Sequence, residues 1–107
     1  MSYGLFLTHH ALPGRRAELI AAWERHMPAA VTANDAHEAY VYTAIDDDPD
    51  ALMVFQQYRS RADAAAFLTT EQYRAYLADS EHLLAGPPQV VGTTPLWSKN
   101  IGTNTAD

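Results

Sequence analysis

Cysteine is absent from the 107 residues. Its absence removes disulfides, thiolate nucleophiles and cysteine-ligated metals from the chemistry open to this chain. It is compatible with a reducing compartment, and a cytoplasmic location is the expectation. Basic residues are scarce: seven Lys and Arg stand against 13 Asp and Glu, a formal net charge of -6. A surface of that sign repels phosphate backbones and anionic lipid, so neither nucleic acid nor a membrane is expected as a partner. No apolar run approaches the roughly 20 residues of a membrane-spanning helix. No basic stretch precedes an apolar one as in a secretory signal. A glycine-rich phosphate loop, a Gly-x-Ser-x-Gly elbow and a His-x-x-x-His pair are also missing. The acidic run Asp46-Asp47-Asp48-Pro49-Asp50 lacks the glycine and the distal glutamate of an EF-hand loop, so it reads as a solvated turn. No metal site is expected.

What is present is a hydrophobic fraction of 48 %, enough for the core of one domain. The stretch Leu52 to Leu77, LMVFQQYRSRADAAAFLTTEQYRAYL, organises the chain. Its first seven residues read as a buried strand. Ser60, with Asp63 three residues on, is a capping signature for a short helix, and Thr69 with Gln72 marks the start of a second. Upstream, Tyr3 to His10 is a strand with Leu5, Leu7 and His9 on one face and Phe6, Thr8 and His10 on the other. Pro13-Gly14 leads into a helix from about Arg15 to Ala33, with Leu19, Trp23 and Met27 as its apolar stripe and a kink or break expected at Pro28. Glu38 to Ile45 is the second strand and forms a hairpin with the third. The last helix carries Tyr73, Tyr76, Leu77, Leu83 and Leu84, with Gly86 as a left-handed cap ahead of Pro87-Pro88. Gln89 to Ser98 is a final strand that Pro95 confines to an edge, a bulge or a segment pairing elsewhere.

The resulting order, β-α-β-β-α-α-β, predicts an α+β fold: a ferredoxin-like split βαβ, with a four-stranded antiparallel sheet and helices on one face. Residues 1–98 form the domain and 99–107 a polar tail. The strands are apolar on both faces: Val41 and Ile45 oppose Tyr40 and Tyr42, and Val54 and Tyr58 oppose Phe55. Helices cover one face. The other needs a second subunit, so a homodimer formed sheet to sheet is expected.

The chain resembles the antibiotic biosynthesis monooxygenase superfamily, the dimeric α+β barrel proteins, over about Tyr3 to Trp97. The resemblance is carried by ALPGR before the long helix, the hairpin around Asp46 to Asp50, QQYRSRADAAAFL, TTEQYRAYL and GPPQV, in that order. It implies a pocket in each subunit between helices and sheet. Members often act as cofactor-independent oxygenases on quinols, anthrones or polyketide phenols; one branch degrades haem, and others have no assigned reaction. The chain departs from the family's patterns. A Glu-Trp element at the end of the third strand is Gln57-Tyr58 here. Histidines in the short helix and near the start of the last helix are Phe67 and Gln72. Of the haem branch's asparagine, aromatic and histidine, only the aromatic survives, at Leu7, Phe67 and Leu77 respectively, which argues against haem degradation.

The resemblance implies His9, Gln57 and Tyr76 as candidate catalytic residues and Leu7, Trp23, Phe67, Tyr73 and Leu77 as the substrate-binding wall. His9 is either a pocket base for a phenolic proton, since imidazole titrates near neutrality, or a hydrated strand-end histidine. Gln57 would hydrogen-bond the substrate oxygen. The tyrosines either orient a flat aromatic ligand or simply pack the core. The expected activity is a cofactor-independent monooxygenase acting on an electron-rich aromatic such as a quinol, anthrone or polyketide phenol. The alternatives are a non-catalytic barrel that binds a small apolar ligand and a polyketide cyclase-like protein.

Overall fold

A computed structural model of the chain describes residues 1–99. Strand β1 (Tyr3–His10) lies inside the sheet, antiparallel to both β3 (Ala51–Tyr58) and β4 (Gln89–Thr93), and β2 (His37–Ala44) flanks β3. The sheet order is therefore β2-β3-β1-β4. Helices α1 (Arg16–Ala33), α2 (Arg61–Phe67) and α3 (Glu71–Ser80), with a 3₁₀ turn at Glu81–Leu83, complete the expected β-α-β-β-α-α-β order. The chain is thus a ferredoxin-like α+β domain. The expected tail lies outside the described residues apart from Lys99. Among the described residues no helix is long and apolar enough to cross a membrane.

Period-two alternation sorts the strands as the sequence suggests. Tyr3 and Leu5 pack against the core beneath the helices, whereas Phe6 is exposed on the other face. The α1 stripe is Leu19, Ala22 and Met27, all buried, with Trp23 packed beside them. Pro28 sits inside α1 without breaking it. The carbonyl it leaves without a partner belongs to Glu24, and both residues are exposed, so water takes the place of the missing donor.

Caps set the next boundaries. Ser60 Oγ accepts from the Asp63 backbone N–H at 3.1 Å and begins α2. For α3 the cap is Thr70 rather than Thr69: its Oγ1 accepts from the Tyr73 N–H at 3.2 Å, and Thr70 is the extended residue. The far end of α3 also differs from expectation. Helix geometry stops at Ser80, and Gly86 is not left-handed. The chain is drawn off instead to extend the end of β1: Leu12 N–H donates to Leu83 O, Ala85 N–H donates to His10 O, and Leu84 bridges Ala11. β4 ends at Thr93, two residues before Pro95.

The left-handed glycine is Gly14 (φ +77°), in the β1–α1 turn. Its N–H donates to Asp50 Oδ1, and Asp50 O accepts from the Ala11 N–H. The acidic run is thus a turn whose oxygens cap backbone groups. Arg16 closes the same corner: its Nη1 donates to Ile45 O, Asp48 O and Ala51 O at 2.8–3.2 Å. Asp48 O and Ala51 O also accept the Ala51 and Ile45 N–H groups, so the guanidinium ties an already formed turn together, and its removal costs charge-assisted hydrogen bonds to all three carbonyls. Arg16→Met keeps the stem and deletes the donor, and is expected to lower stability by about 1–3 kcal/mol in urea denaturation. A midpoint unchanged from wild type would contradict this role.

Candidate functional site

The side chains under the helices divide between two ends of the sheet, one of them rich in aromatic rings. At one end Met27, Tyr58, Ala64, Phe67 and Tyr76 form a buried cluster, with Trp23, Tyr40 and Tyr73 packed against it. At the other, Ala11, Leu19, Leu52 and Leu83 pack with Tyr42 at their edge. Trp23 joins the two: its indole stacks on Tyr42 with centroids 4.1 Å apart and donates its N–H to Tyr40 Oη at 3.1 Å.

Four of the residues singled out from the sequence meet in the first cluster. Phe67 lies 5.8 Å from Tyr73, and Tyr73 lies 6.3 Å from Tyr76, ring centre to ring centre, with Trp23 in the same layer. The other four are elsewhere. His9 pairs with Leu52, six residues along β3 from Tyr58, so it stands roughly 20 Å from the Phe67 end. Gln57 is buried but lies on the helix-free face, where its amide donates to Glu38 Oε1 at 2.8 Å. Leu77 is on the exposed side of α3. Leu7 is half-buried in mid-sheet opposite Val54.

Two polar residues that the sequence reading did not single out stand near Phe67. Gln56, in step with Val54 and Tyr58, faces the helices and accepts a hydrogen bond from the Tyr58 hydroxyl. His37 packs 4.3 Å from Tyr58 and edge-to-face on Phe67 at 4.7 Å. Strict alternation from Tyr40 would turn His37 to the helix-free face. A β-bulge between His37 and Ala39 reverses it, placing His37 opposite Tyr58 and leaving Glu38 to bond Gln57 and Ser2. Alternation carries no sign of this extra residue, and the choice of His9 over His37 follows from that.

A groove of about 680 Å³ opens between α1 and α3, walled by Ala29, Ala33, Gln72 and Ala75, with Phe67 reaching it from α2. A smaller one of about 440 Å³ lies beside the start of β2 and is lined by His37, Glu38 and Tyr40. Asn34 lines both. Beside the larger groove Arg25 and His26 bond Asp79 at 2.7 and 3.0 Å, tying α1 to α3 and holding the Asp79 carboxyl below its ordinary range. Among the described residues no three His, Asp or Glu side chains converge as metal ligands.

Burial sets the protonation states. It pushes the phenols of Tyr40 and Tyr76 up to about 12 and raises those of Tyr42, Tyr58 and Tyr73, so all stay protonated at neutral pH. They are ring walls and hydrogen-bond donors rather than bases. His9 and His37 are both shifted down, His9 by burial and the neighbouring His10, His37 by burial opposed in part by Gln56. The fold therefore favours their neutral forms, and the unfolded chain takes up protons first as the pH falls. Their contribution to stability is full above about 6.5, the ordinary histidine value, and is lost as the pH drops through the lower folded values. Denaturation midpoints are expected to hold steady above neutrality and to fall as the pH drops below about 6.5. The double variant His9→Gln/His37→Gln should flatten that fall; an unchanged slope would contradict the assignment.

The sequence profile of antibiotic biosynthesis monooxygenases matches residues 5–79. No curated protein matches the chain. Among solved structures, a candidate antibiotic biosynthesis monooxygenase from Chloroflexus aurantiacus superimposes with a TM-score of 0.82 at 25 % identity, covering 95 % of this chain and 100 % of that one. Rv0793 from Mycobacterium tuberculosis gives 0.80 at 23 % identity, covering 92 % and 98 %. A Nitrosomonas europaea protein of unknown function gives 0.78 at 24 % identity, covering 92 % of each.

Proposed function

Because the chain belongs to the antibiotic biosynthesis monooxygenase family, we propose that it binds a flat, electron-rich aromatic on the helix side of its sheet and oxidises it with dioxygen. The observation that carries this reading is the layer of Trp23, Tyr58, Phe67, Tyr73 and Tyr76, from which Phe67 reaches a groove of about 680 Å³, with His37 against Phe67. Ring faces suit a quinol, an anthrone or a polyketide phenol, and buried hydroxyls suit its oxygens. For a methylene between two aromatic rings, one oxygen atom of dioxygen becomes the new carbonyl and the other leaves in water. Both methylene hydrogens end in that water, and the substrate supplies all four electrons. The protein's part is to orient the ring, exclude water and stabilise the anion that reacts with dioxygen.

Turnover-free binding of a small apolar ligand is the second reading. The departure of Gln57 from the family's carboxylate favours it, because no acidic group stands in the Phe67 cluster among the described residues. Oxygen uptake by purified protein with an anthrone or a quinol, without added flavin or metal, separates the two. Uptake that falls at least several-fold in Tyr76→Phe and in His37→Gln supports oxidation at this end of the sheet. Uptake lost in His9→Ala alone would move the chemistry to the other end. No uptake together with saturable binding would leave the ligand-binding reading.

The proposed assembly is a homodimer joined through the helix-free face. Phe6 and Phe55 pack there with tilted rings, 4.8 Å between centres, flanked by Val41 and Val91, 52 % and 57 % exposed. Leu96 and Trp97, at 94 % and 82 %, leave the sheet beside the same edge. Apolar side chains in that number on one face are characteristic of an interface. Sedimentation at twice the chain mass is expected, with Phe55→Glu shifting the protein to monomer; a folded wild-type monomer would contradict the assembly.

A further inference from the structure

Asn34 and His37 form a pair whose hydrogen bonds leave one arrangement of protons. Asn34 Oδ1 accepts from the Ala36 backbone N–H at 3.2 Å. A backbone N–H only donates, so this contact fixes the orientation of the Asn34 amide: the oxygen faces Ala36 and Nδ2 faces His37. Nδ2 lies 2.9 Å from His37 Nδ1. An amide nitrogen only donates, so Nδ1 accepts and carries no proton. In a neutral imidazole the proton is then on Nε2. That Nε2 is buried and has no hydrogen-bond partner among the described residues. The turn that holds the pair is itself tied, with His37 N–H donating to Asn34 O at 3.1 Å.

We propose that Asn34 is a positioning residue that locks His37 as its Nε2–H tautomer, so that His37 donates a hydrogen bond to the oxygen anion of a bound phenol or enol instead of acting as a base. The inference rests on the aromatic-ligand reading above and assigns the polarity of that site. Apolar walls disfavour an anion everywhere except where a donor is aimed at it. Gln56 is already engaged by Tyr58, and the Trp23 N–H by Tyr40. The His37 ring, whose Nε2–H has no partner, packs on Tyr58 and Phe67 and joins the phenol hydroxyls as a donor at this end of the sheet. Gln56, the polar side chain beside it, already accepts from the Tyr58 hydroxyl, so a ligand oxygen supplies the full acceptor that Nε2–H lacks. The titratable groups facing it, Tyr40 and Tyr58, stay protonated at neutral pH, and the adjacent Glu38 is turned away to Gln57 and Ser2.

Two readouts test this. Nitrogen-15 NMR of histidine-labelled protein, with the His37 signals assigned by their loss in His37→Gln, is expected to show a bare Nδ1 and a protonated Nε2. Asn34→Asp replaces the donor by a second acceptor, and the proton should move to Nδ1. A wild-type His37 protonated on Nδ1, or an unchanged tautomer in Asn34→Asp, would overturn the inference. The second readout uses a nitrophenol, whose absorbance reports its own ionisation. Wild-type protein should bind it preferentially as the anion, raising its ionisation constant by about tenfold, and Asn34→Asp should abolish that preference while Asn34→Gln retains part of it. Binding without preference for the anion overturns the donor role. The predicted tautomer in a protein that binds no phenol upholds the Asn34–His37 assignment and contradicts the aromatic-ligand reading.

Discussion

A strand shows successive side chains to opposite faces, and in this molecule all three helices lie over one face. That constraint governs the rest. Side chains in step with Tyr3, Val54 and Tyr58 meet α1, α2 and α3, while Phe6 and Phe55 and the side chains in step with them lie on the face that no helix of the described residues covers. The first set becomes an aromatic layer that holds the helices to the sheet. The second set is left as an apolar surface, which accounts for the proposed dimer. The proposed chemistry and the proposed assembly thus fall on opposite faces of the sheet.

The parity is broken once, and at the site. The extra residue near Glu38 turns His37 from the open face to the covered one, into contact with Tyr58 and Phe67. It also turns Glu38 outward, where its carboxylate satisfies Gln57 and Ser2. A bulge of this kind costs a ladder position and gains a re-aimed side chain. Here it brings a neutral imidazole into a layer otherwise made of rings and protonated phenols.

Much of this was legible in the residues themselves. Alternation locates β1, apolar runs between turn residues locate β2, β3 and the start of β4, the Ser60–Asp63 pair locates α2, and the four-residue step of Leu19, Trp23 and Met27 gives the buried stripe of α1. Trp23, Phe67, Tyr73 and Tyr76 were read as one wall and do lie together. What escaped depends on contacts between distant segments. Helix α3 yields at Ser80 because the following residues are taken up by His10, Ala11 and Leu12. The bulge leaves no mark in the hydrophobic pattern, so His37 was passed over for His9. Gln56 was within reach: it shares the parity of Val54 and Tyr58, whereas Gln57 follows Phe55.

The central claim is that ligand chemistry belongs to the Phe67 end of the covered face. Two-dimensional aromatic NMR during titration with a polyhydroxylated anthraquinone tests it most directly. The ring signals of His37, Phe67 and Tyr73 should shift together and saturate while those of His9 stay fixed. Shifts centred on His9 and Tyr42, with Phe67 unmoved, would contradict it.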